Sequence, residues 1–116
     1  MVPESRLVRI WGVAVVGLLL AGAAASAAAV KSAAKTHTVI IENMAFNPQS
    51  LTVKPGDRIV WINKDLFPHT ATADAKAFDS HSIDANATWT LVAGKAGVYT
   101  YACAFHPTMK GTLKVQ

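Results

Sequence analysis

The sequence predicts an all-β domain, a sandwich or barrel, and three observations carry that prediction. Short segments rich in β-branched and aromatic residues recur after residue 35: THTVII, RIVWIN, TWTLV and VYTYAC. Turn signals separate them, notably Pro55-Gly56-Asp57, Gly94 and Gly97. No stretch beyond residue 35 carries the apolar period of a long helix. Short strands punctuated by turns must pack sheet against sheet to bury their apolar faces.

Thr36 to Ile41 forms the first strand. Asn43 to Pro48 reads as a loop with two apolar anchors, Met44 and Phe46, and Leu51 to Val53 as a short strand. Pro55-Gly56-Asp57 is a turn, because proline presets φ and glycine accepts positive φ. Arg58 to Asn63 is the clearest strand. Ile59, Trp61 and Asn63 share one face, Val60 and Ile62 the other, and both faces are largely apolar, as inside a two-layer fold. Lys64 to Pro68 is a loop, and Thr70 to Thr72 opens another strand. Ala73 to Ala87 is the least determined stretch: ADAKAF suits a helical turn and FDSHSIDAN an exposed loop with a short strand. Thr88 to Val92 and Val98 to Cys103 are strands. In the second, Tyr99, Tyr101 and Cys103 share a face, which sets Cys103 inward beneath two rings; Trp61 and Trp89 belong to the core. Thr112 to Val115 closes the fold with Leu113 and Val115 inward.

Ahead of these strands the chain changes character. Of its 116 residues 52% are hydrophobic, but the first third inflates that figure. Arg6 and Arg9 precede Ile10 to Val30, 21 residues without a charge, ending in AGAAASAAAV. A basic start, an apolar run and small residues such as Ala25-Ser26-Ala27 describe an export signal over 1–29. A retained membrane anchor is the alternative, since 21 residues span a bilayer. Residues 30–35 read as a tether and 36–116 as the domain. The expected location is periplasmic, membrane-anchored if the leader stays. The lysines of the remaining chain are scattered, which excludes a nucleic-acid footprint.

One motif carries the chemistry. Tyr99 to Val115 reads YTYACAFHPTMKGTLKV and holds the only cysteine, Cys103, with His106 and Met109 at i+3 and i+6. A single cysteine in an exported chain cannot form an internal disulfide, so it needs another explanation. Thiolate, imidazole and thioether are three donors of a blue-copper site. The second imidazole must come from elsewhere, and His69 in LFPHT is the candidate. Pro107 disfavours a helix here. His106 therefore sits on a tight loop, with Cys103 ending one strand and Lys110-Gly111 turning the chain into the next. His81 between Asp79 and Asp84 reads as a solvated loop histidine. His37 reads as exposed; were the chain cut after Ala34, it would be third from a free amine that could bind Cu(II).

VKPGDRIVWIN, FPH and CAFHPTMKGTLKV together resemble the cupredoxins, in the plastocyanin, amicyanin and pseudoazurin branch, over Thr36 to Gln116. The two-residue gaps on either side of His106 are most similar to amicyanin. The resemblance implies a Greek-key β-sandwich of about seven or eight strands, here preceded by the hydrophobic leader helix, with one copper near one end. It implies His69 and His106 ligating through ring nitrogens, Cys103 through sulfur and Met109 axially. Thr70 departs from the asparagine of many relatives, where that residue hydrogen-bonds near the cysteine. The function implied is a one-electron carrier cycling Cu(I)/Cu(II). It would be a monomer, docking transiently to redox partner proteins at an apolar patch of Phe67, Pro68, Phe105 and Pro107, with Lys64 and Lys110 steering acidic partners. Four protein donors leave no open position for a substrate, which argues against an enzyme. The alternative is a copper carrier or storage protein that delivers the ion. An oxidase module would need a second copper motif, and a metal-free adhesion sandwich would leave the Cys/His/Met spacing a coincidence.

Overall fold

A computed structural model describes residues 33–116, together with Gly17 and Gly22. The expected leader helix falls outside the described residues. Eight strands follow: β1 (Thr36–Glu42), β2 (Ala45–Asn47), β3 (Ser50–Val53), β4 (Arg58–Asn63), β5 (Thr72–Ala73), β6 (Thr88–Val92), β7 (Gly97–Cys103) and β8 (His106–Val115). They form two four-stranded sheets, ordered β2-β1-β4-β6 and β3-β8-β7-β5. The all-β Greek-key sandwich expected from the sequence is the fold observed. Parallel pairing of β1 with β4 and of β3 with β8 obliges the chain to cross between sheets, because parallel neighbours cannot be joined by a hairpin.

Alternation places the core between the sheets. Ile59, Trp61 and Asn63 are buried and Val60 and Ile62 half-buried, so β4 is the central plank of its sheet. Tyr101 reaches across from β7. Its hydroxyl accepts the Trp61 indole N–H at 3.3 Å, and its ring meets Trp61 and Phe46 edge-on at 5.6 and 4.7 Å. Such contacts add about 0.5–1.5 kcal/mol each beyond area burial. Burial pushes the Tyr101 phenol up to about 12, the indole N–H only partly offsetting it, so the group stays neutral in the core.

Four local expectations are corrected. The loop over Asn43 to Pro48 contains strand β2, which pairs Ile41 with Phe46 and Glu42 with Ala45. Asn43 and Met44 both take positive φ, 54° and 61°, making the two-residue turn of a right-twisted hairpin without glycine. Residues 73–87 hold no helical turn; Phe78, Ser80 and Ile83 are buried and pin this segment as cover for the core. Lys110-Gly111 is not a turn but the middle of β8. Gly111 is required there because a Cβ would run into the buried Tyr101 ring. His37 is half-buried in β1 and bonded, not free.

That bond belongs to a clamp at one end of the sandwich. Lys54 to Asp57 turns with Gly56 at φ 91°, the positive angle a type II turn needs. The Asp57 carboxylate accepts the Lys35 and Lys54 amides, both at 3.0 Å, and His37 Nε2–H at 2.9 Å. These donors, the Lys35 amide foremost, hold the Asp57 carboxyl far below its ordinary 3.8. The fold therefore favours the ionised form. Its contribution is complete above about pH 4 and is lost as pH falls below that value.

Two outcomes test this packing. Asp57→Asn should be less stable at pH 7, and its stability should fall less steeply than the parent's below about pH 4, in denaturant melts across that range. Gly111→Ala should lose about 1–3 kcal/mol by overpacking against Tyr101, read from the urea midpoint.

Candidate metal centre

The other end of the sandwich collects the donors. Asn63 ends β4 buried and shapes the loop that follows. Its Nδ2 donates to the Phe67 and Ile83 carbonyls, both at 2.9 Å, and its Oδ1 accepts the Asp65 amide at 3.0 Å. An asparagine bonded to a backbone amide two residues on is an Asx turn. The chain then bends over Asp65 to Phe67 and reaches His69. A reciprocal backbone pair with Ile83 (3.1 and 2.7 Å) fixes His69, whose side chain is wholly buried.

Cys103 ends β7, fully buried and in no disulfide. It pairs directly with His106 across a two-residue turn, Ala104-Phe105, so the tight loop expected from the sequence is a hairpin tip. The pairing register then slips, since Ala102 pairs with Lys110 while Cys103 pairs with His106. The extra residues Pro107 to Met109 form a bulge, and Met109 is buried there.

His69, Cys103 and His106 offer donor atoms within 4.8 Å of one another, the one such group of three among the described residues. Cys103 Sγ lies 3.6 Å from His69 Nδ1 and 3.8 Å from His106 Nδ1. Two ligands on one small ion, at about 2.3 Å for sulfur and about 2.0 Å for nitrogen, stand about 3.5–3.7 Å apart at tetrahedral to trigonal angles. The arrangement therefore fits a shared metal. A cysteine sulfur and two imidazoles, with a buried thioether three residues beyond His106 on β8, are the donor chemistry copper takes.

Two supports were not legible in the sequence. Asp65 Oδ2 accepts His69 Nε2–H at 2.7 Å, which places the imidazole proton on Nε2 and leaves the Nδ1 lone pair facing Cys103. The same carboxylate accepts the amides of Asn43 at 2.8 Å and Met44 at 3.1 Å, tying the strained hairpin turn to the histidine. Partial burial opposes ionisation of Asp65, but the Met44 amide, His69 and the Asn43 amide outweigh it and hold the carboxyl below its ordinary value. An acid four residues before a histidine carries this meaning only because the loop bends between them, over Asp65 to Phe67.

Thr70 is the second support. Its amide donates to Cys103 Sγ at 3.3 Å, and its hydroxyl accepts the Ala104 amide at 2.7 Å. The threonine thus bridges to the cysteine loop at the place where many cupredoxins are expected to carry asparagine. His81 is exposed, 3.7 Å from Asp79, and no third donor joins them among the described residues. His37 and the Lys35 amide are both bonded to Asp57, so an amine-terminal Cu(II) chelate would have to break that clamp.

Comparison with known proteins follows the same lines. The family model described as a cupredoxin-like domain matches residues 12–115. Amicyanin of Paracoccus denitrificans is 31% identical over 83 residues, covering 67% of this chain and 63% of that protein. The chain thus spans under two thirds of that amicyanin's length. Plastocyanin of Nostoc punctiforme is 30% identical, covering 97% and 96%. Among solved structures, the oxidised form of a proline variant of amicyanin superposes with TM-score 0.66 at 30% identity, over 70% of this chain and 82% of that one. A copper-containing nitrite reductase from Thermus scotoductus matches with TM-score 0.65 at 26% identity, over 70% of this chain and 22% of the enzyme.

Asp65→Ala should weaken Cu(I) binding by about 10–100-fold, measured by competition with a chromophoric chelator, because the imidazole loses the partner that orients it.

Proposed function

Since this chain belongs to the cupredoxin-like family, we propose that it is a type 1 (blue) copper protein acting as a one-electron carrier. The observation that carries the reading is the convergence of His69 Nδ1, His106 Nδ1 and Cys103 Sγ within 4.8 Å. These three atoms and the Met109 thioether would hold one copper ion. Bound copper would supply a Cu(II)/Cu(I) couple.

The chain's own groups prepare the site for that couple. The Thr70 amide is directed at Cys103 Sγ and would donate to the sulfur of a metal-bound cysteine, a charge-assisted hydrogen bond. Asp65 keeps His69 in one tautomer. Burial of Cys103, His69 and Met109 keeps water from them. Donors fixed by backbone from both sheets need not rearrange when the charge of the site changes by one. With four donors from the protein, no position remains for a substrate, and the reading is of a carrier. The nitrite reductase carries its cupredoxin-like part within a much longer chain.

His106 is half-buried, with Phe67 6.1 Å away ring to ring. Phe67 (44% exposed), Phe105 (53%) and Leu66 (90%) stand around it, with Pro68 and Pro107 also exposed. Leu66 enlarges the patch expected from the sequence. Such a rim suits brief docking of a redox partner protein. The apolar leader supports export, and a periplasmic location is part of the proposal.

A visible spectrum of the Cu(II)-loaded protein beside Cys103→Ser tests the reading. An intense blue band that bleaches with reductant and is missing from the variant is expected. Copper bound without that band would overturn the electron-carrier reading and favour copper delivery instead.

A further inference from the structure

The pole opposite the candidate metal centre has a charge pattern of its own. Strand directions place the starts of β1, β4 and β7 and the ends of β3, β6 and β8 there. It carries Lys35, Lys54, Arg58, Lys95 and Lys114, all exposed. None of them pairs with a carboxylate among the described residues. The pole's acid, Asp57, is buried and spent on two amides and His37. The other acids of the domain, Glu42, Asp65, Asp74, Asp79 and Asp84, lie from mid-sheet toward the metal end: Glu42 ends β1, Asp74 bonds to Thr100, Asp79 bridges to Thr72, and Asp84 follows Ile83, which pairs with His69. The domain is therefore electrically polarised along its long axis.

Apolar side chains accompany the cations. Val92 (58% exposed) is the cross-strand partner of Arg58, and Val98 (65% exposed) that of Lys114. Exposed apolar groups set beside unpaired cations are what an anionic lipid surface binds: the cations meet headgroup charge and the apolar groups enter the interface.

The chain itself says which anionic surface. Lys35 stands at this pole, and only the four residues 31–34 separate it from the uncharged run 10–30. Four residues reach at most about 14 Å. The Lys35 amide is held by Asp57, so the tether lengthens only by breaking that bond. A bilayer that held the run would be within about two Debye lengths of Lys35, at about 8 Å each in physiological salt. An acidic protein would satisfy the cations, but nothing in the sequence brings one to this end.

We propose that the pole formed by Lys35, Lys54, Arg58, Lys95 and Lys114, with Val92 and Val98, is a docking surface for an anionic lipid bilayer. It seats the domain with the His69–Cys103–His106 end directed away from the membrane. This leaves Leu66, Phe67 and Phe105 open to a soluble partner. The inference rests on the run 10–30 being retained as a membrane anchor and not on the copper reading.

The test uses the full chain reconstituted in vesicles of phosphatidylcholine alone or with about 30% phosphatidylglycerol. A membrane-impermeant amine reagent is applied and labelling is read at each lysine by mass spectrometry. Lys35, Lys54, Lys95 and Lys114 should label about threefold or more slowly on the anionic vesicles, and Lys64 and Lys110 at the metal end should not change. About 0.5 M NaCl should abolish the difference. A Lys54→Glu/Lys114→Glu variant with an unchanged circular dichroism spectrum should lose protection at Lys35 and Lys95. Equal labelling on both vesicle types, or equal protection of all lysines, would overturn the proposal. Protection by soluble polyglutamate with none from phosphatidylglycerol would overturn it too, in favour of an acidic polypeptide.

Discussion

Thr70 ties the halves of the candidate site together with two hydrogen bonds. Its amide points at Cys103 Sγ while its hydroxyl receives the amide of the next residue, Ala104. These two bonds join the segment that follows β4, in one sheet, to the β7–β8 hairpin of the other. His69 precedes Thr70 and Cys103 precedes Ala104, so fixing one pair fixes the distance between the two donors. A buried thiol packs as a small apolar group and needs no partner for stability, so the contact serves the shape of the site.

Work is divided between the ends of the sandwich. Between the sheets, stability comes from Trp61, Tyr101 and Phe46, and at the pole far from the site from the Asp57 clamp, all of them satisfied internally. At the candidate metal end, side chains are spent on holding donors. Asn63 and Asp65 bond mostly to loop backbone, and Asp65 also takes up the Asn43-Met44 turn, where a non-glycine pair at positive φ needs support. Functional sites are held by a shell of residues that pack and bond around the donors. Asp65 and Thr70 form that shell here, one behind each of two donors.

What the sequence revealed depended on whether the cause was local. Strands β1, β4, β6 and β7 were legible because alternation and β-branching sit within each segment. The closeness of Cys103 and His106 was legible because their spacing is short. Hairpin β1–β2 was not, because its turn uses Asn43-Met44 without a glycine to mark it. Residues 73–87 misled because Phe78 and Ile83 are anchored by partners far along the chain. Gly111 looked like a turn residue, yet its lack of a side chain serves the ring of Tyr101, ten residues earlier. His69 came from the need for a second imidazole and from resemblance, and its support by Asp65 emerged only once the loop was seen to fold back.

The spacing of the motif has a structural consequence of its own. On a regular strand, residues three apart face opposite sides. His106 and Met109 are three apart on β8, and so a regular strand would send one of them outward. Met109 is nevertheless buried, in phase with Gly111, Leu113 and Val115, while His106 is held opposite Cys103. The bulge over Pro107 to Met109 is what reconciles the two, since extra residues on one strand reset its phase and re-aim its side chains. Pro107 suits the position because its missing N–H would otherwise be left without a ladder partner. Cys-x2-His-x2-Met on a hairpin therefore implies a two-residue turn followed by a bulge. Without the bulge, the second imidazole and the thioether could not both be presented toward the buried end of the sandwich.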